Sequence, residues 1–483
     1  MPVYIGTDVN GRLSRRFRRE EAKAGNTSSV RKPKPGSAAP RPLAFDPLEP
    51  RVLLNADILA VQLAAMPGDT TDHDLLVRMS EHTERTGARA QTVQRVEIVD
   101  STNGAILAFG DLADIGAVSI AGGIGDDSVT IDADSFGTHS LPPVAFDGGA
   151  GTNSLAIKHA DTPQNWRFDG NGAGSADGAA RATFSGISRL SGGTGDDSLR
   201  GPSADSTWLV TEPGTGTVGG LAFGGFERLT GGIDNRDLFI VTGTGAIRDG
   251  VHGGDGGYDT LEINGDSFGR VAMLAIDGSS GSVDTDGRII AYTGMEPITL
   301  GGTVTDLTLD LSVFADTATL SDGIANDGKM TLSTTGTAET QIFDLPTNSL
   351  TITLGLGNDT LNIASVDAGF HASLSVSGGL GSDTVTVSSA LLLPGKAVEI
   401  DADTITVAGT GGITTGLAGK AAGAITLTGQ TISLLSGASL NAAALGGGTA
   451  GDVTLAASDT VTRVTSFDPT GLPFRRNSQA PPG

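Results

Sequence analysis

A nine-residue phrase built from glycine, aspartate and an apolar residue occurs three times in this chain. It is complete in GGIGDDSVT (122–130), GGTGDDSLR (192–200) and GGLGSDTVT (378–386). Its glycines can adopt positive φ angles, which lets the backbone curl tightly and turn carbonyl oxygens inward. The aspartate at the end of the curl adds a carboxylate, and Ca²⁺ prefers six to eight oxygen ligands of these kinds. The phrase therefore predicts a calcium-binding turn that leads into a β-strand.

Four further copies of the phrase are degraded. They are GGAGTNSLA (148–156), GGIDNRDLF (231–239), GGDGGYDTL (253–261) and LGLGNDTLN (354–362). Asn153 stands at the aspartate position of the first, and Asp237 is kept where the second loses its third glycine. An extra residue precedes Asp259, and Leu354 replaces the first glycine of the copy that keeps Asp359. With these departures, a single turn offers only part of the oxygen shell that Ca²⁺ requires.

The spacing of the phrases indicates which turns stack. With a coil of about 22 residues, the turns at 122 and 148, at 231 and 253, and at 354 and 378 lie one above the other at strand spacing. An ion can then be shared between neighbouring turns. The alternative interpretation is that these are plain corners, in which aspartate and asparagine make local hydrogen bonds.

The phrase resembles the nonapeptide repeat of RTX proteins, the calcium-binding parallel β-rolls of bacterial type I secreted proteins. The resemblance implies that Asp127, Asp197 and Asp383 are carboxylate ligands, assisted by three glycine carbonyls. Those carbonyls belong to Gly122, Gly192 and Gly378. Asp259 and Asp359 of the degraded copies join the candidate metal ligands, and Ca²⁺ is the expected cofactor.

Short alternating runs bounded by Gly, Asp, Asn and Thr follow one another from residue 96 onward. In SLTITL (349–354), Leu350, Ile352 and Leu354 share one face, which is the pattern of a half-buried strand. The pattern and the phrase spacing predict an all-β fold, a right-handed parallel β-helix or solenoid with coils of about 20–26 residues. A β-sandwich is the alternative, although it predicts no lasting period. Residues 74–94 carry some helical spacing and predict a helix.

These features predict six segments along the chain. They are a disordered basic arm (1–44), a short motif (45–60), a helical or irregular connector (61–95), a β-solenoid with the glycine–aspartate turns (96–300), a continuation of the β-helix (301–465) and a disordered tail (466–483).

Two further resemblances concern a segment near the start and a segment near the end of this chain. LEPRVLLNAD (48–57) resembles the LEPR-XLL motif of very long, repetitive bacterial surface or secreted proteins, which implies a role in export or surface handling. The alternative is a short amphipathic helix that caps the first coil. Residues 423–461 are similar to the β-helix shaft of filamentous-haemagglutinin-type adhesins.

Composition excludes several classes of function. The net charge of −24 argues against a nucleic-acid partner, whose phosphates it repels. No window approaches 18 apolar residues, so no membrane-spanning helix is expected. Six histidines are scattered without the spacing of a zinc site, and DHD (72–74) is predicted to be a solvated loop. No pair of carboxylates stands out as an acid and base.

The sequence thus favours a non-catalytic, secreted or surface-displayed structural or adhesin-type repeat protein with weak Ca²⁺ binding at its turns. The expected location is the outer surface or surroundings of a Gram-negative bacterium. The expected partners are calcium ions, an export apparatus and a glycan or protein target. The alternatives are a β-helix enzyme that degrades polysaccharide, as a lyase or glycosidase, and a truncated N-terminal fragment of a giant adhesin.

Overall fold

The computed structural model describes residues 57–63, 71–86, 89–160, 162–335, 338–416, 418–444 and 446–463. These residues belong to one compact unit that begins at Leu54. The predicted arm (1–44), most of the LEPR-XLL motif and the predicted tail (466–483) lie outside the described residues.

The described residues form strands and one short 3₁₀-helix, Ala133–Phe136. The strands in chain order are β1 (Asp57–Gln62), β2 (Asp74–Thr86), β3 (Arg89–Asp100), β4 (Ala105–Asp111), β5 (Ile115–Ala121), β6 (Ser128–Asp132), β7 (Val144–Asp147), β8 (Asn153–Lys158), β9 (Gln164–Gly170), β10 (Ala173–Asp177), β11 (Ala182–Ser185), β12 (Ile187–Ser191), β13 (Asp197–Arg200), β14 (Ser206–Glu212), β15 (Thr215–Val218), β16 (Leu221–Gly224), β17 (Arg228–Thr230), β18 (Asp237–Thr242), β19 (Val251–His252), β20 (Thr260–Asp277), β21 (Ser280–Thr285), β22 (Arg288–Thr293), β23 (Ile298–Asp310), β24 (Thr317–Ser321), β25 (Lys329–Thr334), β26 (Gln341–Asp344), β27 (Ser349–Thr353), β28 (Thr360–Ile363), β29 (Ser373–Ser377), β30 (Thr384–Val387), β31 (Ala390–Leu392), β32 (Val398–Asp401), β33 (Thr404–Val407), β34 (Gly412–Thr414), β35 (Ile425–Leu434), β36 (Ser439–Asn441) and β37 (Val453–Arg463). The predicted all-β class is confirmed.

Most strands pair in parallel with the strand one coil later, so that they stack in columns. The columns are β1–β5–β7–β11, β2–β6–β8–β12–β16, β9–β13–β17–β19–β22, β14–β18–β20–β23–β26, β20–β23–β27–β29–β32–β35–β37, β24–β28–β30–β33–β35–β37 and β31–β34–β36. Four strands belong to two columns each, with a different half of the strand in each column: β20, β23, β35 and β37. Parallel pairing of strands 20 or more residues apart is the arrangement that the repeating phrases predicted.

The period is regular only where a coil carries no insertion. Equivalent turn residues are 24 and 20 residues apart in the coils that follow β28 and β30. The separation rises to 43 residues between Asp316 and Asp359, because the antiparallel strands β25 and β26 are inserted there. Similar hairpins extend β9, β14 and β20. The uneven gaps between phrases therefore come from hairpins inside single coils as well as from coils that lack the phrase.

One apolar core runs through the stack from Leu59 to Ala442, because alternate residues of each strand point inward. Its bulkiest part is aromatic. The rings of Trp208 and Phe239 are stacked with centroids 5.1 Å apart, and Phe223 meets Trp208 edge-on. The small Val, Ile and Leu side chains that dominate the rest of the core suit the narrow space inside a coil.

The predicted helix within 61–95 is wrong. Residues 74–86 form β2, which pairs antiparallel with β3 along its whole length, from Leu75 opposite Asp100 to Thr86 opposite Arg89. Leu75 and Val77 point into the core while the residues between them do not, so the period is two. The parallel columns also begin earlier than residue 96, with β1 paired to β5, and β23 runs across the boundary that was predicted at 300/301.

Candidate functional site

The aspartates of the glycine-rich phrases lie inside the turns and not on the surface. Asp127, Asp197, Asp359 and Asp383 are each 1 % exposed, and Asp259 is 3 % exposed. Each stands within one residue of the start of a strand, where the chain leaves the glycine curl and enters the core. A charge in such a place has lost its water and needs partners in the protein.

The predicted stacking of turns is confirmed. The backbone N–H of Gly122 donates to the carbonyl of Asp147, just below the turn at 148. Gly231 donates in the same way to His252, before the turn at 253, and Leu354 donates to Ser377, before the turn at 378. The contact is close, since a Cβ atom added to Gly122 would lie 2.3 Å from the carbonyl oxygen of Gly148. Glycine is required there to let two curls approach.

The remaining two glycines with predicted ligand carbonyls take part in the same stacking. Gly192 donates its N–H to the carbonyl of Gly224, and Gly378 donates to that of Asp401. The carbonyl oxygen of Gly192 accepts a 3.3 Å hydrogen bond from the Ser191 hydroxyl.

The carboxylates join successive coils by a repeated hydrogen bond. Except at Asp197, one side-chain oxygen accepts from the backbone N–H of the equivalent residue one coil earlier. Asp259 Oδ1 accepts from Asp237 at 2.7 Å, and Asn153 Oδ1 accepts from Asp127 at 2.9 Å. The second oxygen of Asp127 accepts from the Gly123 N–H at 2.7 Å, within its own curl. The aspartates therefore satisfy donors that the curled backbone leaves unpaired.

Four aspartates in consecutive coils form the longest run of such bonds, which we call the aspartate column: Asp316, Asp359, Asp383 and Asp403. The N–H of Asp316 donates to Asp359 Oδ1 at 2.7 Å, that of Asp359 donates to Asp383 Oδ1 at 3.0 Å, and that of Asp383 donates to Asp403 Oδ2 at 2.9 Å. At the start of the column, the Ser312 N–H and hydroxyl donate to Asp316 Oδ2. The Oδ2 atom of Asp359 is buried and has no hydrogen-bond partner.

Burial makes the charged form of these carboxylates costly. Desolvation raises the pKa of Asp359 from 3.8 to about 6, against the hydrogen bond from Asp316, and the neighbouring charges of Asp383 and Asp316 raise it further. Desolvation likewise raises the pKa of Asp259 to about 6, with Asp237 adding to the effect. Among the described residues, neither carboxylate makes an ion pair with a basic side chain.

Two of the three complete phrases differ from the column because a histidine from the preceding coil lies against the carboxylate. His159 Nε2 is 2.9 Å from Asp197 Oδ1, and both side chains are almost fully buried. Asp197 Oδ2 accepts from the Gly193 N–H at 2.7 Å. Desolvation raises the pKa of Asp197, and the positive charge that His159 can carry opposes the increase.

The phrase at 122 repeats this arrangement. His73 Nδ1 is 3.1 Å from Asp127 Oδ1, and the His73 N–H donates to the same oxygen at 3.1 Å. The prediction of a solvated loop at 72–74 is therefore wrong for His73, whose side chain is only 19 % exposed. His73 and His159 are 54 and 38 residues away from the aspartates that they contact, so no local sequence pattern indicates these contacts.

Sequence analysis also missed two members of the aspartate column, Asp316 and Asp403. Neither follows a glycine-rich curl, so the nine-residue phrase does not include them. All four members share a different signal, an Asp-Thr pair followed by an alternating strand, as in DTATL, DTLNI, DTVTV and DTITV. That shorter pattern marks the turn aspartates of this part of the chain better than the glycines do.

Elsewhere in the described residues, Asp322, Asp327 and Asp367 bring one carboxylate oxygen each within 4.8 Å of one another. Asp367 accepts from the N–H groups of Gly369 and Gly328, and Asp327 accepts from that of Lys329. The bonds from Gly369 and Lys329 are local, whereas the bond from Gly328 joins two loops 39 residues apart, and Asp322 Oδ1 is buried without a hydrogen-bond partner.

Two surface depressions lie on the described part of the chain. One, of about 340 Å³, lies beside Trp166, Arg167 and Asp177, and the other, of about 680 Å³, lies beside Asp169 and Asp205. All three carboxylates are exposed. The turn aspartates do not line either depression. No helix in the described part of the chain is long and apolar enough to cross a membrane.

Comparison with protein-family models and with curated proteins gave no match for this chain. The likeness to RTX, LEPR-XLL and filamentous-haemagglutinin-type proteins therefore rests on the motifs quoted above.

Proposed function

We propose that this chain is a right-handed parallel β-helix that serves as a non-catalytic structural or adhesin-type repeat protein, secreted by a Gram-negative bacterium or displayed on its surface. The observation that carries the proposal is the succession of parallel strand pairs that runs from β1 to β37. Each coil is bonded to the next through several strands, so a force along the stack is shared among many hydrogen bonds. Such a stack presents its outward side chains as a repeating surface, where a glycan or protein target would bind.

The outward residues of the last coils suit exposure to solvent. Thr384 and Thr386 of β30 pair with Thr404 and Thr406 of β33, and the alternate residues of both strands, three valines and one isoleucine, are buried. Uncharged hydroxyl rows of this kind keep a long sheet face soluble without the charge repulsion that an acidic chain would otherwise build up.

The second part of the proposal is that Ca²⁺ stiffens the stack at the turn aspartates. The chemistry of the donors fits a hard cation, because the turns offer carboxylate and carbonyl oxygens and the buried Asp359 Oδ2 lacks a partner. A bound cation would offset the desolvation that raises the pKa of Asp359 and Asp259. The residues that would hold it at this column are Asp359 and Asp383, with carbonyl oxygens of the adjoining curls.

A calcium titration of the full chain tests this part of the proposal. Far-UV circular dichroism and thermal melting are recorded at rising CaCl₂, with MgCl₂ at equal concentrations as the control. We expect the melting temperature to rise at or below millimolar Ca²⁺ and to stay constant with Mg²⁺, which binds less readily to flexible sites that are rich in oxygen ligands. A melting temperature that does not respond to Ca²⁺ would withdraw the calcium claim and leave the structural role.

Location is tested separately. Fractionation of the native cells, with an antibody against the chain, should place it in the medium or on the outer surface. Retention in the cytoplasm would contradict the proposed role.

A further inference from the structure

The turn aspartates fall into two classes that differ in what occupies the space beside the carboxylate. At Asp127 and Asp197 a histidine of the preceding coil lies there. In the aspartate column, Asp359 makes no ion pair with a basic side chain among the described residues, and one of its carboxylate oxygens is unpartnered.

The imidazole of His159 packs closely against the glycines of its turn. A Cβ atom added to Gly193 would lie 2.7 Å from His159 Cδ2, and one added to Gly195 would lie 2.7 Å from Cε1. The ring thus lies directly on the glycine curl of the phrase at 192. Both Asp197 oxygens are already acceptors, one for His159 and one for the Gly193 N–H.

The turn at 122 is closed by the same means. Asp127 Oδ1 accepts from the backbone and faces the ring nitrogen of His73, while Oδ2 accepts from Gly123. The neighbouring Asp72 carboxylate accepts from the Asp126 N–H at 2.8 Å, so the loop at 71–73 covers the curl. A Ca²⁺ ion bound at 2.3–2.6 Å from six to eight oxygens would have to displace an imidazole, which is not one of its preferred ligands.

Asp359 presents the opposite situation. Its side chain is 1 % exposed, Oδ1 accepts from Asp316, and Oδ2 has no partner. In the complete phrases at 122 and 192 the corresponding oxygen accepts from the glycine N–H four residues earlier. An unpaired, buried carboxylate oxygen is costly unless a donor or a cation meets it.

We infer that His73 and His159 occupy the cation positions of the phrases at 122 and 192, so that these complete phrases do not bind Ca²⁺, and that the aspartate column is the cation site, with Asp359 Oδ2 as the open ligand. The inference rests on the proposed calcium binding and assigns it to one part of the stack. From the sequence, the complete phrases are expected to bind Ca²⁺ better than the degraded ones. The inference is the opposite for three of them, since the degraded phrase at 354 binds the ion and the complete phrases at 122 and 192 do not.

Isothermal titration of CaCl₂ into the full chain tests the inference with matched Asp→Asn variants. Asn153 already occupies an aspartate position and makes the inter-coil bond through Oδ1, so the amide is compatible with the turn. We expect Asp359→Asn to weaken Ca²⁺ binding at least tenfold, and Asp127→Asn and Asp197→Asn to leave the affinity and stoichiometry unchanged. Asp383→Asn provides a second test of the column, and far-UV circular dichroism checks that each variant is folded.

The outcomes separate this inference from the proposed function. Binding that is lost in Asp197→Asn or Asp127→Asn but survives in Asp359→Asn and Asp383→Asn would overturn the inference and keep the calcium proposal. A wild-type chain that binds no Ca²⁺ would overturn the calcium proposal and the assignment to the column together.

Discussion

We expect the carboxyl group of Glu339 to make the stability of this protein depend on pH. The side chain is fully buried, just before β26, and accepts a hydrogen bond from the Tyr292 hydroxyl, while its Oε2 atom has no partner. Desolvation raises the pKa of Glu339 from 4.5 to about 7; the Tyr292 hydrogen bond opposes this, and the charge of Asp277 adds to it. We expect Glu339→Gln to remove this pH dependence, because the amide oxygen can still accept from Tyr292.

The direction of the pH dependence follows from the protons bound by the folded and the unfolded chain. Between pH 4.5 and about 7 the folded protein holds the Glu339 proton more tightly than the unfolded chain does. The wild-type free energy of unfolding therefore falls as the pH rises through this window, by about 1.4 kcal/mol per pH unit at most. The full contribution is about 3 kcal/mol, so Glu339→Gln should be more stable than the wild type by about that amount at pH 8 and equal to it at pH 4.

Urea unfolding followed by far-UV circular dichroism at pH 4, 5, 6, 7 and 8 measures this difference. Glu399→Gln is the matched control, since Glu399 is exposed on β32, and its profile should parallel that of the wild type. Wild-type and Glu339→Gln curves that stay parallel from pH 4 to pH 8 would refute the reasoning, because Glu339 would then titrate in the folded protein as it does in the unfolded chain.

Two further substitutions test the stack itself. Asp383→Ala removes the acceptor of the Asp359 N–H and should lower the free energy of unfolding, measured by urea unfolding, by about 1–3 kcal/mol. Asp383→Asn should lower it less, because Asn153 makes the same bond elsewhere in the stack. Equal losses in the two variants would contradict the role of the side-chain oxygen. Trp208→Ala should cost about 3–5 kcal/mol by the same assay, since it leaves a cavity beside Phe239, and a loss under 1 kcal/mol would contradict the aromatic core.

The strand architecture was largely predictable from the sequence because it depends on local alternation. Leu350 and Ile352 alternate with threonines, and the structure buries them as that pattern requires. The stacking of the turns at 354 and 378 followed from their spacing, since that coil has no insertion. Where β25 and β26 interrupt a coil, the period was lost, because an antiparallel hairpin has the same alternation as the strands that it separates.

The candidate site was predictable only in part, because its chemistry depends on contacts between coils. The phrase located Asp127 and Asp197 as turn residues, but not their burial, and the histidines that contact them belong to other coils. β2 was mistaken for a helix for the same reason. Its charged outer residues, such as Arg78 and Glu81, are compatible with either structure, and only the pairing with β3 decides between them.

The most direct test of the account is the distance between equivalent residues of successive coils. The chain contains no cysteine, so spin labels can be attached at Thr360→Cys and Thr384→Cys, whose parent residues are partners in the β28–β30 register and directly follow Asp359 and Asp383. The account predicts strong dipolar broadening of the continuous-wave spectrum, as expected for backbones about 4.8 Å apart, and weaker broadening for Thr360→Cys with Thr404→Cys, two coils away. A spectrum of the first pair that equals the sum of the singly labelled spectra would contradict the parallel stack and the aspartate column built on it.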